Sequence, residues 1–148
     1  MGRLRGPEAD IVTDYLERLD RVGRLIGLGP ASVPEIDERK AGDQMRQGVL
    51  IHEAIPSGAV MMALDQRGSM LSSEQLAAKL SKLADGGARD LAIAIGGADG
   101  LGEALRREAA HCLSLGPMVW PHALARAMLA EQLYRAATIL AGMPYHRA

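Results

Sequence analysis

The chain predicts an α/β fold with a mostly parallel sheet, and two features of the pattern predict it. Short apolar runs alternate with longer amphipathic stretches, and those runs are apolar at consecutive positions rather than at every second one. Alternation requires right-handed crossovers between neighbouring strands, and unbroken apolar runs require a sheet covered on both faces. At 148 residues the chain suits one domain, spanning 1–148, with a substantial core.

Each element follows from local signals. Pro7 opens the first helix, with Ile11, Tyr15, Leu19 and Val22 on one face and Gly27 as its stop. Residues 31–36, bounded by Pro30 and by charge, read as a short strand. Residues 38–54 read as a helix with Met45, Val49 and Leu50 on one face, ended by Pro56-Ser57-Gly58. Residues 59–64 form a buried strand closed by a turn at Asp65-Gln66-Arg67-Gly68. Ser73 caps a helix to about Leu83. Residues 90–95 give the next strand, and 96–102 a glycine-rich turn into a helix over 103–111. Residues 116–120 read as a last short strand. Pro121, at a first helical turn, then opens a long helix that Gly142 and Pro144 stop.

Composition narrows the class. Apolar runs fall well short of the roughly 18 residues of a membrane span, and the N-terminus has no signal-peptide core. Cys112 is the only cysteine, so no internal disulfide forms, and a cytoplasmic location is expected. Cys112 itself reads as a small buried hydrophobe. No metal-ligand set stands out. The net charge is −1, and the longest basic run is Arg106-Arg107, so a purely electrostatic grip on nucleic acid is disfavoured. Any RNA recognition must rest on shape, on a local arginine patch or on a surface completed by a second subunit.

Open parallel sheets bind ligands beyond the carboxyl ends of their strands. Three such ends stand out: Leu64-Asp65, Ile95-Gly96-Gly97, and Leu115 through Trp120. Gly96 and Gly97 allow either a close ligand approach or a tight turn, and spacing alone does not choose. Their arrangement with Gly100 and Gly102 is not a dinucleotide fingerprint. His122 at a helix start is either a cap or a functional group. Glu131 and Arg135, at i, i+4, fit a simple surface pair. The tail Tyr145-His146-Arg147 carries a stacking ring, an imidazole and a guanidinium, the groups that an extruded RNA base and its phosphate would require.

Three stretches carry a resemblance: the apolar run from Leu91 that breaks on Gly96-Gly97, the run from Leu113 that breaks on Pro121-His122, and the ending Pro144-Tyr145-His146-Arg147. Together they resemble the RlmH family of SPOUT methyltransferases, weakly from about Gly2 and strongly after Ala59. The resemblance implies a SPOUT-type α/β fold with a C-terminal trefoil knot over about 90–148. It implies S-adenosyl-L-methionine as cofactor, held by Leu64, Gly96, Gly97, Leu115, Gly116, Pro117, Met118, Val119 and Trp120. It implies N3-methylation of a pseudouridine in the helix 69 loop of 23S rRNA in the assembled ribosome, by a homodimer. Arg126, Tyr145, His146 and Arg147 would meet the RNA, and His146 or His122 is the candidate base for the N3 proton. A ribosome-binding protein that has lost catalysis, and an unrelated nucleotide-binding α/β protein, are the competing readings. Two departures from the family are visible. The chain starts at what is normally a turn after the first strand, so that strand looks absent, through either a late-set start or a truncation. Ala98-Asp99 stands where many relatives have Pro-Glu.

Overall fold

A computed structural model describes residues 2–40, 42–97 and 100–147, with position 38 described in its backbone only. Met1 and the Ala98-Asp99 departure lie outside the described residues. The elements in chain order are α1 (Pro7–Ile26), a single 3-10 turn (Glu38–Lys40), α2 (Gln44–Ala54), β1 (Val60–Met70), α3 (Ser73–Asp85), β2 (Leu91–Ile95), α4 (Glu103–Glu108), β3 (His111–Ser114) and α5 (His122–Leu140). They divide into two units. The sheet unit holds Pro34–Met70 and Gly87–His122; the helical unit holds Leu4–Val33, Leu71–Gly86 and the chain from Ala123 onward.

In the sheet unit the three strands pair in parallel, in the order β2-β1-β3. β1 is central because its first half, Val60 to Leu64, is apolar at every position and pairs on both edges; Met62 and Ala63 are fully buried. Ile51 of α2 and Leu105 of α4 close over Ala63, Ala94 and Leu101, with Met61 and Cys112 packed beside them. Cys112 is half-buried against this core, its thiol 3.6 Å from the Arg106 carbonyl. α4, at six residues, is too short to persist alone. Burial of Leu101 and Leu105, 2% and 4% exposed, holds it, contributing about 2 kcal/mol each.

In the helical unit, α1 packs Val12 against Ala127 and Ala130, and Leu19 and Val22 against Ala137. Alanines on the buried side of α5 allow this close approach. α3 starts with a reciprocal cap: Ser72 Oγ accepts the Gln75 N–H, and the Gln75 side chain accepts the Ser72 N–H.

The parallel sheet, α1, β2 and α5 match the sequence reading; several details do not. Residues 31–36 form no strand. Pro30 and Pro34 lack N–H donors, and a strand with a proline every few residues cannot sustain a ladder. The segment is held instead by the Ala31 N–H on Asp20 Oδ1 at 2.7 Å and by the Gly2 N–H on the Ile36 carbonyl at 2.9 Å. The helix expected over 38–54 is interrupted at Gly42, in the left-handed region at φ 63°, and restarts where Asp43 caps the Arg46 N–H. Its buried stripe runs through Leu50 and Ile51, while Met45 and Val49 are exposed; in α1, Val12 rather than Ile11 faces inward. The turn expected at Asp65–Gly68 is strand: β1 continues to Met70 through an irregularity that pairs both Leu64 and Ser69 with Leu113. The helix expected to His111 ends at Glu108, and the last strand is His111–Ser114. Residues 116–120 form no strand and only bend at Pro117-Met118, because Gly116 takes φ 110° and Pro117 has no N–H to pair. The α3 cap is Ser72, one residue before Ser73.

Candidate functional site

The register brings the three expected strand ends side by side. Leu64 pairs with Ile95 of β2 and with Leu113 of β3, so Leu64, Gly96-Gly97 and the loop from Leu115 share one end of the sheet. Gly96 is buried, and its reason is now visible. A Cβ there would lie 2.3 Å from the Gly100 carbonyl carbon and 2.7 Å from Leu101 N, so the returning chain fills the space. The Gly100 N–H closes the turn on the Gly97 carbonyl at 3.0 Å. For Gly96 the tight turn, rather than ligand approach, accounts for the missing side chain.

The loop after β3 is different. Gly116 has open space where a Cβ would stand, yet its φ of 110° lies where only glycine is unstrained. Ser114, 5% exposed, fixes this loop. Its Oγ accepts the Gly116 N–H at 3.1 Å and lies within donating distance of the Gln66 and Gly116 carbonyls. Leu115 is half-buried, Pro117, Met118 and Val119 are exposed, and Trp120 is half-buried. The Trp120 Nε1 is buried with no hydrogen-bond partner among the described residues. An unmet buried donor costs about 1–3 kcal/mol, so this indole asks for an acceptor. His122 is half-buried at the first residue of α5 and belongs to the sheet unit.

The tail is tied down in the helical unit. Tyr145 O–H donates to Glu131 Oε1 at 3.0 Å, and its ring meets Tyr134 edge-on at 4.7 Å between centroids. The Arg135 guanidinium lies 4.8 Å over the Tyr145 ring while its Nε donates to Glu131 at 2.9 Å. The Glu131–Arg135 pair is therefore no solvated surface pair; its side chains are 18% and 25% exposed, and it anchors the tail. His146 Nε2 lies 2.6 Å from Glu74 Oε1, and Nδ1 faces Arg135 Nη1 at 3.5 Å. Arginine can only donate, so Nδ1 accepts and Nε2 carries the proton toward Glu74. Both ring nitrogens are engaged. Burial, with hydrogen bonds to Tyr15 and Glu131, pushes the Tyr145 phenol well above its usual value. Hydrogen bonds from the Ser72 side chain, its own backbone N–H and His146 hold the Glu74 carboxyl down to about 2. Arg147 is exposed, whereas Arg126 is buried at 7% on α5.

One cluster escaped the sequence reading. The Asp65 side chain, 6% exposed, accepts the Arg67 N–H at 2.9 Å and Arg67 Nε at 3.2 Å, with Arg106 Nε 3.7 Å away. Burial works to raise this carboxyl, but the Arg67 hydrogen bonds and the charges of Arg67 and Arg106 prevail and hold it below the ordinary range. A carboxylate two residues before an arginine at a strand end was the available signal. Reading 65–68 as a turn hid it. Among the described residues no group of three or more His, Cys, Asp or Glu is placed to hold a metal ion, and no helix is long and apolar enough to cross a membrane.

Residues 1–146 match the family model described as Predicted SPOUT methyltransferase. The chain is 60% identical over 148 residues to the Ribosomal RNA large subunit methyltransferase H of Dinoroseobacter shibae, covering 99% of this chain and 95% of that protein. Proteins of the same name from Roseobacter denitrificans and Paracoccus denitrificans are 57% and 51% identical, with the same coverage. A match of this length and identity, on an all-parallel sheet whose strand ends gather a glycine turn and a pinned loop, shows that the chain belongs to the SPOUT methyltransferase family.

Proposed function

We propose that this protein is an S-adenosylmethionine-dependent methyltransferase that acts on N3 of a pseudouridine in the helix 69 loop of 23S rRNA within the assembled ribosome. The observation that carries the reading is the shared sheet end, where Leu64, Gly96-Gly97 and Leu115–Trp120 meet, in a chain whose relatives are named for large-subunit rRNA methylation. The residues there fit the cofactor. Leu64 and Leu115 offer a half-buried apolar surface, and Pro117, Met118 and Val119 are exposed beside them in the chain. The Trp120 indole supplies an unmet donor for a ligand rich in acceptor atoms. Bound there, S-adenosylmethionine would supply an electrophilic methyl group on sulfonium.

The protein's own part is then alignment, exclusion of water and removal of one proton from the base. His122, in the sheet unit, and His146 are the proposed proton acceptors. His146 must first exchange its Glu74 and Arg135 contacts for substrate. Tyr145, His146 and Arg147 are proposed to contact RNA, with Arg147 already exposed; Arg126 requires local opening to join them. Exposed Met118 and Val119 suit burial against a second copy in a cytoplasmic homodimer. We further propose that 1–148 acts as one SPOUT unit with its knot over about 90–148.

The test pairs calorimetry with S-adenosylmethionine and transfer of a labelled methyl group to intact large ribosomal subunits, with free rRNA as control. Saturable cofactor binding and label on subunits are expected. Cofactor binding without transfer would favour a ribosome-binding protein that has lost catalysis, and no cofactor binding would reject the cofactor reading.

A further inference from the structure

Net charge argues against a broad electrostatic grip on RNA, so any phosphate contacts must be concentrated. The fold brings Arg67 to an arginine pair that lies far from it in the sequence. Arg67, from the second half of β1, joins Arg106 and Arg107 of α4 around an open cleft of about 400 Å³, with Glu103 on its rim. Within it the charges do not cancel: two carboxylates, Asp65 and Glu103, face three guanidiniums. Asp65 lies beneath, holding Arg67 by its Nε and standing 3.7 Å from Arg106, so it acts as a brace rather than as part of the opening. Arg106 Nε is buried without a hydrogen-bond partner among the described residues. Arg67 and Arg107 side chains are 64% and 78% exposed, so a ligand can reach both guanidiniums while Asp65 and Glu103 hold them. Arginine forks match phosphate oxygens bidentately, and a braced cluster orders fewer rotamers on binding.

We propose that Arg67, Arg106 and Arg107 form a phosphate-binding cleft that grips the sugar–phosphate backbone of the substrate RNA. The proposal rests on the RNA methyltransferase reading and adds to it a site in the sheet unit, separate from the tail residues. Glu103 competes with the phosphate for Arg107, which sets the affinity and leaves it adjustable.

The experiment measures binding of the full-length protein to intact large ribosomal subunits across a salt series, with calorimetric S-adenosylmethionine affinity as a check on folding. In the double variant Arg67→Ala/Arg107→Ala, ribosome affinity falls roughly tenfold or more, and the slope of log K against log salt flattens by about 1.5–2. Cofactor affinity stays unchanged. Arg67→Lys/Arg107→Lys keeps most of the slope, since the charges remain. Glu103→Gln tightens binding a few-fold, a gain that misfolding does not mimic. The cleft proposal is overturned if the double alanine variant binds subunits with wild-type affinity and slope while the wild type binds and methylates them. If the wild-type protein neither binds nor methylates subunits, the RNA reading itself fails and the cleft falls with it.

Discussion

At Gly96 and Gly116 the groups held in place are backbone, whereas in the tail side chains hold one another. Around Gly96 the chain folds on itself so closely that a Cβ at that residue has no room, and Gly116 is held by one serine through its peptide groups. The tail is fixed by a carboxylate, a guanidinium, a phenol and an imidazole that satisfy one another. The contrast teaches that rigidity can be reached by two routes with different failure modes. A backbone-built loop breaks when a methyl group is added; a side-chain network breaks when one partner is removed.

The sharpest way to break the first region is Gly96→Ala. Its new Cβ would overlap the Gly100 carbonyl at 2.3 Å, and backbone cannot step aside as a flexible side chain can. The expected cost is about 3 kcal/mol, read by urea unfolding, with cofactor binding lost. Unchanged stability would mean that the turn has another packing. Glu131→Ala is the equivalent blow to the tail. It strands Arg135 and Tyr145, which are half-buried, at a cost of about 2 kcal/mol. Faster amide exchange and proteolysis should appear at Tyr145 and His146, and not at the strand ends.

Gly116→Ala sharpens the comparison because it adds no clash, only an unfavourable φ. It should cost about 1–2 kcal/mol in stability and weaken cofactor binding by more than that loss accounts for. Ser72→Ala removes a reciprocal cap and should cost about 1 kcal/mol, without effect on cofactor affinity.

The smallest effect is a pH dependence confined to the tail. Glu74 titrates at about 2 in the folded protein against an ordinary 4.5. Its folded value is lowered, so its contribution is fully present above pH 4.5 and is lost as pH falls toward 2. Acid titration followed by tail amide exchange should show that loss in the wild type, and Glu74→Gln should remove it. Identical acid profiles would place the tail's stability elsewhere.

What the sequence revealed follows the same division. β2 and α5 were legible because an apolar run ending in glycine, or a helix opened by Pro121 and stopped by Gly142, is a local signal. The three strand ends were legible as neighbours, since a parallel sheet aligns the carboxyl ends of its strands, and the register places them at one end. The extension of β1 past Leu64 was not, because an irregular pairing with β3 decides it and Asp65–Gly68 taken alone has turn composition. Residues 31–36 misled in the opposite direction: a short run bounded by Pro30 and charge pointed to strand, and the donors missing at Pro30 and Pro34 overruled it. The Asp65–Arg106 and Glu74–His146 contacts join residues far apart in the chain, which no local pattern records.

The central claim, that this fold delivers one methyl group to one base, is tested most directly by mass spectrometry of nucleosides from 23S rRNA after reaction. Unmethylated large subunits, the protein and S-adenosylmethionine are incubated, and the rRNA is digested fragment by fragment. The account predicts a gain of one methyl group, on N3 of a single pseudouridine, in the helix 69 fragment. No methyl gain from folded, cofactor-binding protein, or a methyl group on another nucleoside, would contradict it.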